Sequence, residues 1–305
     1  VASADGLQLT GDEPSAWRHF SNTLFNVMRG GLPDDGYRIS LADLRSFLRK
    51  ANRDLANRHA SFLDSLPETL PHAELLSRTA VLRDVDLDRL VTEYLPLTFS
   101  RRHGDPSRPW NVFSIQVKDA QGKKILGYEG NWRDIFQNWE ALGFSFPGYL
   151  ESMIFKFADS STADGYNPYR VMQGGFDWEV IDPHDAWSFI GYWGDHQVIY
   201  FLKLLEASHR YHPGQLARLL THRVFTYANV PYRIKPYADL LASPRDTITF
   251  DHEAHRMIMR RAEALGADGK ALMGEGGIFH ASLLEKLLVV ILSKLSNFVP
   301  EAGIW

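Results

Sequence analysis

The sequence predicts a mainly α-helical fold with one small β-hairpin. Apolar residues recur at intervals of three and four over most of the 305 residues, which is the spacing of one face of a helix. Residues 111–118 alternate apolar and polar side chains instead, and a turn leads to a short returning run that ends at Tyr128. This pattern predicts a pair of strands. The loops between the predicted helices are long and rich in glycine and aromatic residues, and ordered loops of this kind often carry function.

The predicted helices before the hairpin are bounded by residues that start or stop a helix. Pro14 opens the first, and a Gly-Gly pair at residues 30–31 ends it. Ser40 begins the second with a sequence like a capping box, and this helix is predicted to extend to about Ala60. Three prolines divide residues 61–99 into shorter helices.

Seven more helices are predicted after the hairpin. Asp251 is a suitable N-cap for the sixth of these, and Gly266 is a suitable C-cap. No strict sequence repeat is visible, and none is required if the helices pair as antiparallel hairpins. The predicted ranges are 132–142, 148–160, 185–208, 213–221, 234–242, 251–265 and 281–297.

Composition excludes several classes of protein. Hydrophobic residues make up 45% of the chain and charged residues 23%, which rules out wholesale disorder. The formal net charge is −4, so we expect neither nucleic acid nor a membrane as a partner. The most apolar run, residues 283–295, is too short to span a bilayer. Cysteine is absent, which removes disulfides and thiolate ligands and favours a reducing compartment, so we expect a cytoplasmic location.

The densest cluster of polar and aromatic residues is the segment 130–139. On a helix, Arg133 and Gln137 share one face, Asp134 lies beside them, and Trp132 is adjacent. A carboxylate accepts from sugar hydroxyls, the cationic and amide groups donate, and an indole covers the apolar face of a pyranose. The cluster therefore fits a polyol ligand. The alternative is a buried Arg–Asp pair with a core stripe of aromatic residues, which is the commoner use of such side chains.

A second cluster surrounds the turn at residues 164–170. Glycine, asparagine and proline specify a turn here. Placed after a helix, the turn can aim the carboxylate of Asp164 and the guanidinium of Arg170 into a cleft. The alternative is a turn with no further role.

A third cluster precedes the predicted apolar helix at residues 198–206. Asp195 and His196 lie near its start, next to Tyr192 and Trp193. The arrangement is a second candidate for binding a sugar or an anion. The alternative is that Asp195 caps the helix and His196 is structural.

Three other motifs do not qualify as sites. His252 and His255 are three residues apart rather than four, and no third ligand is evident, so no metal is expected. The glycine-rich run at 274–277 follows no clear strand and is neither a dinucleotide fingerprint nor a P-loop. The basic residues within 101–109 form a short, isolated patch, which is more typical of a solvated loop or an intramolecular contact than of RNA binding.

The order of the three clusters resembles the catalytic barrel of the cellobiose and chitobiose phosphorylases, which belong to the six-hairpin (α/α)6 glycosidase superfamily. The shared features are an R-D-x-x-Q helix at Arg133, an apolar helix, a D-G turn at Asp164 and a G-x-x-G-D-H motif that ends at His196. They extend over residues 131–206, roughly a quarter of the chain.

This resemblance implies part of an (α/α)6 toroid. Residues 1–109 would form a helical, linker-like segment, and residues 110–305 would form the N-terminal part of the barrel, truncated at its C-terminus. The remainder of a longer chain is then an expected partner, and the oligomeric state is left open.

The resemblance also implies cleavage of a glycosidic bond in a disaccharide or oligosaccharide by inverting phosphorolysis or hydrolysis. Phosphorolysis uses inorganic phosphate as a co-substrate, whereas hydrolysis needs a second carboxylate to activate water. No other cofactor is implied. By resemblance, Arg133, Asp134 and Gln137 line the subsite for the non-reducing sugar. With the residues singled out above, the candidate substrate-binding set is Trp132, Arg133, Asp134, Gln137, Asp164, Arg170, Tyr192, Trp193, Asp195 and His196.

The sequence departs from the family pattern at three points. Asn138 stands where the family helix continues with aspartate, and Gly194 precedes Asp195 where an acidic residue is usual. The W-N-D-type motif that carries the general acid of the family does not occur, so the acid is expected outside this chain, with Asp195 as the weak candidate within it. The rival hypothesis is a non-catalytic α-helical domain that binds sugar or acts as a scaffold.

Overall fold

The computed structural model describes residues 31–100, 118–180, 198–243 and 246–296, together with residues 17, 20, 21, 24, 182, 184, 298, 299, 303 and 304. The described residues of the first predicted helix, such as Trp17 and Phe20, are helical. Residues 111–117 of the predicted strand and the predicted helical residues 185–197 lie outside the described part of the chain.

Short helices and one strand pair form the segment before residue 97. The predicted helix from Ser40 to about Ala60 is broken at Asn52. The Asn52 backbone is extended, and its side-chain carbonyl accepts the Leu55 N–H at 3.0 Å, so Asn52 ends one helix and caps the next. The elements are β1 (Arg38–Ser40), α1 (Leu41–Ala51), α2 (Arg53–Arg58), α3 (Ala60–Asp64), β2 (Thr69–Pro71), α4 (His72–Ala80) and α5 (Val85–Glu93), with β1 antiparallel to β2.

Each of the seven helices predicted after the hairpin has a counterpart in the structure. The predicted caps are confirmed: the Asp251 side chain accepts the Ala254 N–H at 2.9 Å, and Gly266 follows the helix with φ +111°. The helices are α6 (Trp132–Ser145), α7 (Leu150–Ser160), α8 (Val198–Tyr211), α9 (Gln215–Thr221), α10 (Tyr237–Ala242), α11 (His252–Leu265) and α12 (Leu283–Ser296).

A small four-stranded sheet, which the sequence did not predict, precedes and flanks α6. Its strands are β3 (Thr98–Ser100), β4 (Gly127–Asn131), β5 (Arg170–Met172) and β6 (Gly175–Asp177), in that spatial order, with β3 parallel to β4 and the other pairs antiparallel. Three of the four strands have only three residues, too few to show a period of two. The turn of the predicted hairpin is present, because Lys118 and Lys124 bridge around Gly122, which has φ +80°.

The remaining strands form two-residue and three-residue pairs. The Gly-rich run at 274–277 makes a tight hairpin. The pairs are β7 (Tyr232–Ile234) with β8 (Ile248–Phe250), β9 (Met273–Gly274) with β10 (Gly277–Ile278), and β11 (Phe298–Val299) with β12 (Gly303–Ile304).

One hydrophobic core joins the two parts of the chain that the sequence separates at residue 109. The core includes Leu44 of α1, Leu90 of α5, Trp139 of α6, Ile154 of α7 and Leu204 of α8. The residues around the proposed boundary lie outside the described ranges, so the division into 1–109 and 110–305 stays a prediction. No helix within the described ranges is both long and apolar enough to cross a membrane.

Helices α7 and α8 also meet through a polar contact. His212 Nδ1 lies 2.8 Å from Glu151 Oε2, and the Ser208 hydroxyl donates to Glu151 Oε1 at 2.7 Å. This hydrogen bond with Glu151 raises the pKa of His212 above its usual value. The protonated imidazole is therefore stabilised more in the folded state than in the unfolded chain.

His212→Gln is expected to remove a pH-dependent part of the stability. Because the folded pKa is raised, this contribution is fully present below the ordinary histidine pKa of about 6.5 and is lost as pH rises through the folded value. The pair is partly exposed, so solvent screening limits the effect to at most about 1 kcal/mol. Melting temperatures at about pH 5.5 and about pH 9 measure it. A wild-type advantage of equal size at both values contradicts the prediction.

Candidate functional site

Two of the sequence-predicted clusters meet at the small sheet. Strand β4 ends at Asn131, directly before α6, and the antiparallel register pairs Asn131 with Arg170 of β5. Arg170 is therefore adjacent to the first turn of the helix that carries Arg133 and Asp134. The backbone of that turn is described, but the side chains of these two residues are not.

Arg170 is held between two carboxylates. Its Nη1 donates to Glu129 Oε1 at 2.6 Å, and its Nη2 donates to Asp177 Oδ2 at 2.9 Å. Burial lowers the pKa of Arg170, but the hydrogen bond to Asp177 and the charges of both carboxylates raise it above the usual value. The Arg170 side chain keeps 27% of its surface exposed, so the cluster lies at the surface rather than in the core.

Lys270 extends this cluster toward an aromatic ring. Its Nζ donates to Asp177 Oδ1 at 3.2 Å and lies 4.9 Å from the ring centroid of Trp178. Burial raises the pKa of Asp177, but Lys270 and Arg170 together lower it below the ordinary value. Asp177 is therefore ionised at neutral pH and can accept hydrogen bonds, whereas the role of general acid requires a proton that it does not hold.

The other sequence-predicted residues lie in different surroundings. Trp132 is only 1% exposed, and its ring contacts Phe136 and Phe157 in the core, with centroids 5.4 and 4.9 Å away. Gln137 and Asp164 are exposed, the first on α6 and the second in the turn before β5. Tyr192, Trp193, Asp195 and His196 lie outside the described residues, and their roles stay predictions.

Three members of the Arg170 cluster are absent from the predicted set: Glu129, Asp177 and Lys270. Glu129 is 41 residues from Arg170 along the chain, and Lys270 is 93 residues from Asp177. No local spacing links residues so far apart. The one available signal is that Arg170 and Asp177 lie on either side of a two-residue turn, which makes them partners in a hairpin.

A second charged cluster is buried beneath the first. Lys156 donates to Glu93 Oε1 and, at 3.1 Å, to the Gln173 carbonyl. Arg89 donates to Asp268 Oδ2 at 2.6 Å. The side chains of Lys156 and Arg89 are 1% and 2% exposed, so this cluster holds helices together and is not open to a ligand.

Asp159 also belongs to the buried cluster. Burial, followed by the charge of Glu93, raises the pKa of Asp159 well above its ordinary value. Burial also raises the pKa of Glu93, but Lys156 and Arg89 lower it to below the usual range. The surroundings therefore favour the neutral form of Asp159 and the anionic form of Glu93, which is paired with Lys156. Within the described ranges, no group of three or more side chains is arranged to hold a metal ion.

The two ends of the segment that contains Arg89 and Glu93 lie next to each other in the structure. Pro33 and Leu97 form an antiparallel bridge, and the Asp34 N–H donates to the Pro96 carbonyl at 2.9 Å. Adjacent ends are the geometry expected of a unit inserted between two parts of another domain.

Comparison with known families agrees with this geometry. Residues 34–96, about a fifth of the chain, match the family model described as glycoside hydrolase family 149 insertion domain 1. The matched segment begins and ends at the bridge between Pro33 and Leu97. The match supports a glycoside-hydrolase-related protein with a carbohydrate substrate. It lies outside residues 131–206, which carry the resemblance to the phosphorylase barrel. A comparison with curated proteins finds no match.

Proposed function

We propose that this chain is part of a carbohydrate-active protein that cleaves a glycosidic bond by inverting phosphorolysis or hydrolysis, and that it supplies residues that bind the non-reducing sugar. The observation that carries this proposal is the register of β4 and β5, which places Arg170 opposite Asn131 at the start of α6. The insertion-domain match at residues 34–96 supports the carbohydrate class.

The Arg170 cluster has the groups that a neutral sugar requires. Glu129 and Asp177 each give one oxygen to Arg170, and each carboxylate has further lone pairs for sugar hydroxyls. Arg170 itself is fixed by both contacts, so its geometry is set before a ligand arrives, which lowers the entropy cost of binding. Asp134 would add a third acceptor from the neighbouring helix start.

The catalytic step needs groups that this cluster does not supply. Inverting cleavage requires a proton donor on the leaving oxygen and a nucleophile on the opposite face of the sugar. The low pKa of Asp177 makes it an acceptor, so we assign the general acid to another part of the protein. Inorganic phosphate would serve as the nucleophile in phosphorolysis, and a water activated by a second carboxylate would serve in hydrolysis. The six-hairpin toroid, with α6–α12 as part of it, belongs to the same proposal.

A second candidate function is a non-catalytic α-helical domain that binds sugar or acts as a scaffold. The observation that favours it is the description of the matching family model, which names an insertion domain.

Incubating the full-length protein with cellobiose or chitobiose, with and without inorganic phosphate, separates the candidates. Release of a free sugar or a sugar phosphate supports the enzyme, and binding without release supports the second candidate.

Asp134→Asn is expected to weaken binding of cellobiose or chitobiose to the full-length protein by about tenfold or more, because it removes a charged hydrogen-bond acceptor from the sugar subsite. Thermal stability should change little. Calorimetric titration measures the affinity, and differential scanning calorimetry measures the melting temperature.

The matched control is Asp54→Asn on the exposed face of α2, which should leave the affinity unchanged. If the Arg133–Asp134 pair is instead structural, Asp134→Asn leaves a buried arginine without its partner at a cost of about 3–5 kcal/mol. A large fall in melting temperature with unchanged sugar affinity therefore rejects the site assignment.

A further inference from the structure

An open pocket lies along the outer face of α11, beside the Arg170 cluster. The inner face of the same helix, with Ala254 and Ile258, is buried against the protein. The pocket has a volume of about 580 Å³ and is lined by His255, Arg256, Met259, Arg260, Ala262 and Glu263.

The pocket contains two guanidinium groups that are not paired with a carboxylate among the described residues. Arg256 and Arg260 are both exposed and one helical turn apart, so their side chains are neighbours on the helix surface. Within the described part of the chain, neither forms a hydrogen bond or an ion pair. Arg53, which packs near the end of α11, differs from them because it donates to backbone carbonyls of that helix, including Ala264 at 2.9 Å.

A third donor comes from the side of the pocket that faces the Arg170 cluster. His255 Nδ1 lies 3.1 Å from Nε1 of Trp178, and an indole N–H can only donate. The contact therefore makes Nδ1 the acceptor and places the ring proton of a neutral imidazole on Nε2. Burial, and then the charge of His252, lower the pKa of His255, which favours this neutral form.

We propose that this pocket binds an oxyanion, a carboxylate or a phosphate group, between Arg256 and Arg260, with His255 as a neutral donor. A guanidinium presents paired N–H groups whose geometry matches both kinds of oxyanion. Met259 supplies an apolar wall on the same face. The carboxylate of Glu263 also lines the pocket and opposes an anion, so Arg256, Arg260 and Glu263 together give the described lining one net positive charge.

This proposal does not rest on the proposed function. The Arg170 cluster would bind the hydroxyls of a neutral sugar, whereas the α11 pocket would bind a charged group. The ligand in the pocket is identified by its chemistry as an acidic sugar or as phosphate, and the two sources are separate arms of one experiment.

Inorganic phosphate and an oligosaccharide of glucuronic acid are the two probes, titrated separately into the full-length protein at fixed ionic strength. The Arg256→Gln/Arg260→Gln double variant is expected to weaken binding of the accepted probe by about tenfold or more, because charged hydrogen bonds to both guanidinium groups are lost. Arg49→Gln, at an exposed arginine on α1, is the matched control and should leave the affinity unchanged.

Glu263→Gln is expected to change the affinity for the probe in the opposite direction. It removes the carboxylate of the described pocket lining and is expected to tighten binding severalfold, which a change in folding does not produce. Binding of phosphate but not of the acidic oligosaccharide assigns the site to phosphate, and the reverse result assigns it to an acidic sugar. If the wild-type protein binds neither probe, or if the double variant binds as tightly as the wild type, the proposal is overturned. The Asp134→Asn test is unaffected by that outcome.

Discussion

Lys156→Met is expected to destabilise the protein by about 3–5 kcal/mol. Lys156 and Glu93 have side chains that are 1% and 7% exposed, and their hydrogen-bonded ion pair links α7 to α5. Removing the ammonium group takes away the charge that most stabilises the buried Glu93 carboxylate. It also leaves the Gln173 carbonyl without the hydrogen bond that Lys156 donates. Urea unfolding of the full-length protein measures the loss.

A second variant distinguishes loss of the ion pair from poor packing of the new side chain. The double variant Lys156→Met/Glu93→Leu removes both charges, and replacing a buried pair with apolar groups of similar volume is often neutral or stabilising. We therefore expect it to recover most of the stability that Lys156→Met loses. Lys50→Met, at an exposed lysine of α1, should change stability by less than about 0.5 kcal/mol. Equal losses in the single and double variants contradict the ion-pair explanation.

The helices were predictable because their signals are local. Asp251 and Gly266 bound α11 with side-chain and backbone features that act within four residues, and both caps are confirmed. Asn52 carries a signal of the same kind, a cap residue inside an apolar stripe, yet the prediction extended one helix through it. The stripe continues on both sides of Asn52 because α1 and α2 pack against the same core, so periodicity alone does not show the break.

The polar clusters were harder to predict because their members are far apart in sequence. Lys156 and Glu93 are separated by 63 residues, and Arg89 and Asp268 by 179. Charged residues are rarely buried without a partner. An arginine or lysine with no acidic residue near it in the sequence is therefore predicted to be exposed. The turn in the sequence points to Arg170. Its carboxylate partners depend on the register of the strands, and strands of three to five residues are too short for their register to be predicted from the sequence.

The aromatic stripe of α6 shows how one pattern serves two hypotheses. Trp132, Phe136 and Trp139 lie at intervals of four and three residues, which fits a ligand-covering surface and a core face equally well. In the structure, all three are at most 1% exposed. What separates the hypotheses is whether helices pack over that face, and the sequence of α6 alone does not contain this information.

Trp132→Ala is expected to destabilise the protein by about 3–5 kcal/mol, because it removes a fully buried indole and leaves a cavity between Phe136 and Phe157. Urea unfolding measures this loss. Cellobiose binding is measured below the start of the transition, where the variant is still folded. Trp17→Ala is the matched control, because Trp17 is 69% exposed and its removal should cost less than about 1 kcal/mol.

Trp132→Phe refines the test. It keeps an aromatic ring but removes an indole N–H that is buried and has no hydrogen-bond partner among the described residues. The benefit of removing that donor offsets part of the loss in volume. We therefore expect Trp132→Phe to retain most of the stability that Trp132→Ala loses. If Trp132 were instead a surface on which a sugar stacks, Trp132→Ala would lower cellobiose affinity with little change in unfolding. That result would return Trp132 to the binding site and show that the helices over this face move apart to admit a ligand.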